Sequence, residues 1–387
     1  MTKTKHRLLQ LCSSGLCALI SVSTFSATPA PAEDNQRTLK ALMADASSDI
    51  STLIPLAYDD EAFRIEKNQQ QIQEYLNNLE AIFTQKAERL GNQSDTAWIS
   101  LKVLQGHLSE TANLYQAGYF AMSQYLLTST PAICATCHLQ DSAHSTIKSQ
   151  LTHNQFANDY SFAEYLFTIR QYDEAEAFYK SHLQSPEVHS SRFRFLKPLE
   201  RLMTIELGIR RSAANTIQML EFYDNASTQI EIKQVINEWL DGVKAITAAG
   251  AKNQAELETL FKGWFSTSPG TSHEFILDEA RRPQAIWLRA KLFESLPRAN
   301  SRADTASVLY MLAIIDRVLG QVEPYSFANL YLKQCVLSYP ETPSAGRCLE
   351  EYKNHLSFYY GGSAGEAVPE ELVDEYNIMK KALQSAH

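Results

Sequence analysis

Apolar residues recur at three- and four-residue steps along most of this chain, and alternating β-branched runs are nearly absent. That spacing gathers side chains on one face of an α-helix and would scatter them over both faces of a strand. Helix breakers are scarce as well, with 14 glycines and 13 prolines in 387 residues. The chain therefore reads as all-α.

Between residues 33 and 140 the pattern divides into four helical stretches. Leu39, Leu42, Met43, Ala46, Ile50, Leu53 and Ile54 form one stripe, which Pro55 ends. A second stretch runs from about Asp60 to Leu90 with Phe63, Ile65, Ile72, Leu76, Leu79 and Phe83 among its apolar positions. Gly91 to Asp95 reads as a turn ending in a capping residue, and the third helix starts near Thr96 with Trp98, Leu101, Leu104 and Leu108. Gly118 marks a break or a tight approach before the fourth, which carries Phe120, Met122, Tyr125 and Leu126. Pro131 is disfavoured inside a helix, so Ser129 or Thr130 is expected to cap a fresh turn there. Helices of this length with short connections favour an antiparallel four-helix bundle.

The fourth stretch ends in Cys134-Ala135-Thr136-Cys137-His138. Two cysteines two residues apart, followed at once by histidine, form the c-type haem attachment pattern. Each thiol adds across one haem vinyl group, and the adjacent imidazole becomes the proximal iron ligand. A lone Cys-x-x-Cys also serves as a zinc half-site or a redox pair. What favours haem is an export signal, since haem is attached outside the cytoplasm. Lys3, Lys5 and Arg7 precede an apolar stretch from Leu8 to Phe25, and Ala30-Pro31-Ala32 offers a cleavage site before Glu33. Residues 1–32 are expected to be a cleaved signal peptide rather than a membrane anchor, giving a periplasmic, soluble product.

Cleavage would remove three basic and no acidic residues and take the net charge from −9 to −12. That argues against nucleic acid as a partner and leaves a basic protein surface as one. No later apolar run is long enough to span a bilayer. Cys335 and Cys348 lie 13 residues apart around Ser338-Tyr339-Pro340-Glu341-Thr342-Pro343. That centre is a turn between two helices, so the thiols either form a disulfide or stay as a buried pair.

With the helix order, Trp98 opening the third helix and the late Cys-x-x-Cys-His in view, residues 33–140 resemble the cytochrome c′ family, including its low-spin members. The resemblance implies one covalent haem c on Cys134 and Cys137 with His138 as proximal iron ligand. It also places the residue above the distal haem face on the first helix, in Arg37-Thr38-Leu39-Lys40-Ala41-Leu42-Met43. Met43 is thereby the candidate distal ligand, against the plainer reading of a core methionine. His107 is a rival sixth ligand, or a partly exposed histidine. Arg37 and Lys40 suit haem propionates or a solvated helix start equally. His144 and His153 sit in a polar stretch and read as exposed. Gas-binding members carry an aromatic-basic pair after the haem histidine, where this chain has Leu139-Gln140-Asp141.

Gln140 to Asn158 reads as a linker, after which the pattern changes. Helix-turn-helix units of tetratricopeptide type are suggested at Phe162–Gln184, Phe195–Tyr223, Trp239–Phe265, Ala285–Leu319 and Ser326–Tyr360, without a full consensus repeat. The expected organisation is a signal peptide at 1–32, a cytochrome bundle at 33–150 and a tetratricopeptide-like helical domain at 151–387. Gly361-Gly362-Ser363-Ala364-Gly365 lacks the lysine and the preceding strand of a phosphate loop and reads as a turn before a terminal helix. No nucleophile-base arrangement, His-Glu-x-x-His or second haem motif is present, so no enzyme activity is expected. The expectation is an exported monohaem cytochrome that transfers electrons with a redox partner protein. A haem-based gas sensor and an interaction scaffold with a structural haem are the alternatives.

Overall fold

The computed structural model describes residues 44, 46–89, 96–138, 151–250, 253–265, 279–320, 326–362 and 365–386. All of them belong to one compact unit, 42–387. The described chain is helical apart from a minimal hairpin in which Gly361–Gly362 (β1) pairs with Gly365–Glu366 (β2).

Helix α1 covers 46–57 and runs through Pro55, which does not end it as expected. The stretch from Asp60 is broken early: α2 spans Asp60–Arg64, Ile65 is extended, and α3 runs Glu66–Arg89. The continuous helix expected there does not form. Asp59 caps the start of α2 by accepting from the N–H groups of Glu61 and Ala62 (3.0 and 2.9 Å). After Ile65 the Asn68 and Gln69 side chains donate to the Ala62 and Arg64 carbonyls (2.8 and 2.9 Å) in place of a continuing helix. Helix α4 (Thr96–Gln116) and α5 (Phe120–His138) are joined by three residues, with Gly118 at φ 81°. So tight a turn forces them antiparallel, and only glycine takes that backbone without strain. Side-chain bonds fix the register, Gln105 to Thr84 (3.2 Å) across α3–α4 and Ser123 to the Thr111 carbonyl (2.9 Å) across α4–α5. Leu53, Phe63, Ile72, Phe83, Leu108 and Ile133 belong to the core these helices share with α1.

Pro131 does not break α5, contrary to the sequence expectation. Side-chain donors converge on the Leu126 carbonyl: Ser129 Oγ at 2.6 Å, Thr130 Oγ1 at 3.3 Å and His107 Nε2 at 2.8 Å. Ser129 and Thr130 therefore brace the helix from within instead of capping a new one.

Beyond residue 158 the chain folds as successive helix pairs. These are α6 (Asp159–Thr168) with α7 (Tyr172–Leu183), and α8 (Arg192–Met203) with α9 (Ala213–Ala226). Then come α10 (Ile230–Ala249), α11 (Gln254–Phe265), α12 (Arg281–Ser295) and α13 (Arg302–Leu319). The last are α14 (Ala328–Ser338), α15 (Pro343–Tyr360) and α16 (Glu370–Ser385). Left-handed residues end three of the early helices, Arg170 (φ 67°), Arg211 (φ 60°) and Gly250 (φ 55°). They stand roughly forty residues apart.

The pairs pack closely. Gly242 on α10 meets the α12 start so tightly that a Cβ there would lie 2.2 Å from the Ala280 carbonyl oxygen. Alanine gains about 1 kcal/mol of helix propensity over glycine, but this clash is with backbone. Gly242→Ala should therefore lower stability by about 1–3 kcal/mol, seen as an earlier urea midpoint. Cys335 and Cys348 form a disulfide between α14 and α15, with Cα atoms 6.4 Å apart. Both are fully buried in the last core cluster with Leu332, Tyr352 and Leu356.

Candidate functional site

The Cys134–His138 motif forms the final turn of α5. Positions 134, 137 and 138 stand at i, i+3 and i+4 of the helical backbone, a spacing that falls on one helix face. This donor set has the chemistry and the spacing that covalent haem requires. Of the described side chains just before it, Thr130, Pro131 and Ile133 are buried and Ala132 is half-buried. Gln124, near the start of α5, donates to the Ala57 carbonyl (2.9 Å) and to Asp60 Oδ1 (2.8 Å). The end of α1 therefore meets the start of α5.

Arg37, Lys40, Met43 and His144 lie outside the described residues. His107 is described, and it is neither exposed nor beside the motif. It is 6% exposed on α4, where Nε2 donates to the Leu126 carbonyl and lies 3.1 Å from Thr130 Oγ1. Thr130 precedes His138 by eight residues, about 12 Å along a helix, so the rival sixth ligand serves the α4–α5 packing instead. Burial pushes its pKa down to about 4, and the bond to Leu126 offsets only part of that.

His153 sits in a short 3₁₀ turn, His153–Gln155, stacked on Phe178 with ring centres 5.0 Å apart. Its Nε2 meets Asp159 Oδ1 at 2.8 Å while Ser181 Oγ donates to Asp159 Oδ2 at 2.6 Å. These residues line an open cleft of about 620 Å³ together with Asn158 and His182. The carboxylate stands between serine and histidine, so the imidazole does not face the hydroxyl it would have to deprotonate. Among the described residues no three His, Cys, Asp or Glu side chains gather to hold a metal ion.

The joint between the first helices and the repeats was not visible in the sequence. Tyr58, just after α1, donates to the Thr128 carbonyl on α5 (3.2 Å), and its hydroxyl lies 3.3 Å from Thr168 Oγ1 on α6. Ser161 returns a bond to the Tyr58 carbonyl (3.0 Å). Behind it Arg201 grips Glu164 through two parallel bonds of 3.0 Å, Nε to Oε1 and Nη2 to Oε2. Tyr179 donates to the same carboxylate at 2.6 Å, and the guanidinium lies 4.6 Å over the Phe167 ring. Burial alone would raise the Glu164 pKa, but the charge and hydrogen bonds of Arg201 outweigh it and the carboxyl stays below its ordinary value. In the sequence Glu164 and Arg201 are ordinary helix charges 37 residues apart; only the fold pairs them.

No protein-family model, curated protein or solved structure matches the chain. Among the described residues no helix is long and apolar enough to cross a membrane.

Proposed function

We propose that this chain is an exported monohaem c-type cytochrome of cytochrome c′ type, joined to a tetratricopeptide-like scaffold, that transfers electrons with a partner protein in the periplasm. The observation that carries the reading is the contiguous Cys134-Ala135-Thr136-Cys137-His138 motif, which lies on the last turns of α5. The bound haem would supply the redox centre. Cys134 and Cys137 would hold it covalently and His138 would ligate its iron.

Met43 is the proposed sixth ligand. What supports it is the resemblance of the segment Arg37-Thr38-Leu39-Lys40-Ala41-Leu42-Met43 to the distal segment of the cytochrome c′ family. Arg37, in the same segment, is the proposed propionate contact. The Cys335–Cys348 disulfide suits an oxidising compartment. The helix pairs from α6 onward present the extended surface that docking needs.

The reduced protein should show a low-spin spectrum. Met43→Ala should convert it to high spin and admit carbon monoxide, while the far-UV dichroism stays unchanged. A wild-type protein that is already high-spin and binds carbon monoxide promptly would instead identify a gas-binding protein.

A further inference from the structure

The cleft beside His153 is walled by three converging segments: the turn His153–Gln155, the start of α6 and the end of α7. Thr152 closes the turn by donating its N–H to Gln155 Oε1 at 2.7 Å. Asp159 ties the segments together, because one carboxylate oxygen holds the His153 ring and the other the Ser181 hydroxyl. Phe156, buried and stacked on the Tyr165 ring at 5.3 Å, adds an apolar wall. The cleft is thus shaped before a ligand arrives, and about 620 Å³ lies within the range of small-molecule sites.

Its lining decides what it can hold. Among the described residues that line it there is no lysine or arginine, so a phosphate or carboxylate would meet no countercharge. Its one carboxylate already accepts from His153 and Ser181, which makes it a poor trap for a cation. The other polar groups are neutral. Asn158 accepts the Ser161 N–H (2.9 Å) as the cap of α6, and Asn154 accepts the Thr152 hydroxyl, so both amides keep their N–H donors among the described residues. Gln184 and Ser185 make no side-chain hydrogen bond among the described residues and offer donors and acceptors together. Burial holds the His182 pKa below its ordinary value, against the Arg194 backbone and the Asp159 charge, so this imidazole is neutral at pH 7.

We propose that this cleft binds a neutral mono- or disaccharide. A sugar hydroxyl donates and accepts at once, and amides, a hydroxyl and a neutral imidazole answer it in both senses. Each Asp159 oxygen has a second lone pair with which to accept from the sugar. The apolar C–H face of the ring lies against Phe156 and Ala157.

The test follows the histidine ring signals of the full chain by NMR as glucose, maltose or N-acetylglucosamine is added. His153→Gln, His182→Gln and His107→Gln identify the three signals needed. Those of His153 and His182 should move saturably with at least one sugar, and that of buried His107 should stay in place. A tighter response to maltose than to glucose assigns a two-ring ligand, and any other order assigns one ring. Potassium phosphate and tetramethylammonium chloride should give no saturable shift. Asn154 and Gln184 are exposed, so Asn154→Ala and Gln184→Ala should keep the wild-type melting midpoint. At least one of them should weaken the sugar about three- to tenfold, the worth of a lost hydrogen bond. No saturable shift with any of the sugars, a tighter response to either salt, or unchanged affinity in both alanine variants would overturn the proposal.

Discussion

Arg201→Met is expected to lower the stability of the chain by about 3–5 kcal/mol. The arginine side chain is 2% exposed and Glu164 13%, so removing the cation strands a carboxylate that water barely reaches. Tyr179 still donates to it, which offsets part of the loss, but one phenol does not replace two charge-assisted bonds. The methionine also leaves the face of Phe167, where the guanidinium now stacks. The companion variant decides the mechanism. Arg201→Met with Glu164→Leu removes both charges, and apolar replacements of a buried pair are often neutral. The double variant should recover at least half of the lost stability in urea unfolding. If it is as unstable as the single variant, the loss is one of packing and the buried-charge argument fails.

Acid should act through His107. Its folded pKa is about 4 against an ordinary 6.5, so the folded state refuses a proton that the unfolded chain accepts. Above pH 6.5 the ring is neutral in both states and contributes no pH dependence. As the pH falls from 6.5 towards 4, the unfolded chain binds the proton first and stability drops. The full effect is on the order of 3 kcal/mol. His107→Gln keeps a donor for the Leu126 carbonyl but cannot titrate. Between pH 7 and 4 wild type should therefore lose on the order of 3 kcal/mol more than this variant. Parallel stability curves would show that the ring takes up its proton while buried.

Helix content was legible because it depends on local spacing. Leu104, Leu108 and Phe83 face inward as their three- and four-residue steps require, and the five segments read as helical beyond residue 158 are largely helical. What spacing could not show was long-range chemistry. Ile65 continues an apolar stripe, yet the helix breaks there, with the Asn68 and Gln69 side chains taking the Ala62 and Arg64 carbonyls. Pro131 stays inside α5, and the bond that His107 brings from another helix to the Leu126 carbonyl has no local signal. His107 itself reads as a free surface imidazole in one dimension and as a packing bond in three. The joint at Tyr58 and the Glu164–Arg201 pair left no trace, since each partner alone looks like any helix residue. The haem motif was legible for the opposite reason, because its five residues are contiguous and their spacing is dictated by the porphyrin.

The most direct measurement is haem staining after denaturing electrophoresis of the exported protein, with wild type and Cys134→Ala/Cys137→Ala side by side. No other cysteine in the chain has a histidine at the required spacing. Wild type should stain as one covalent haem protein, and the double variant should carry none. An unstained wild type, or a double variant that still stains, would contradict the assignment and with it the proposed function.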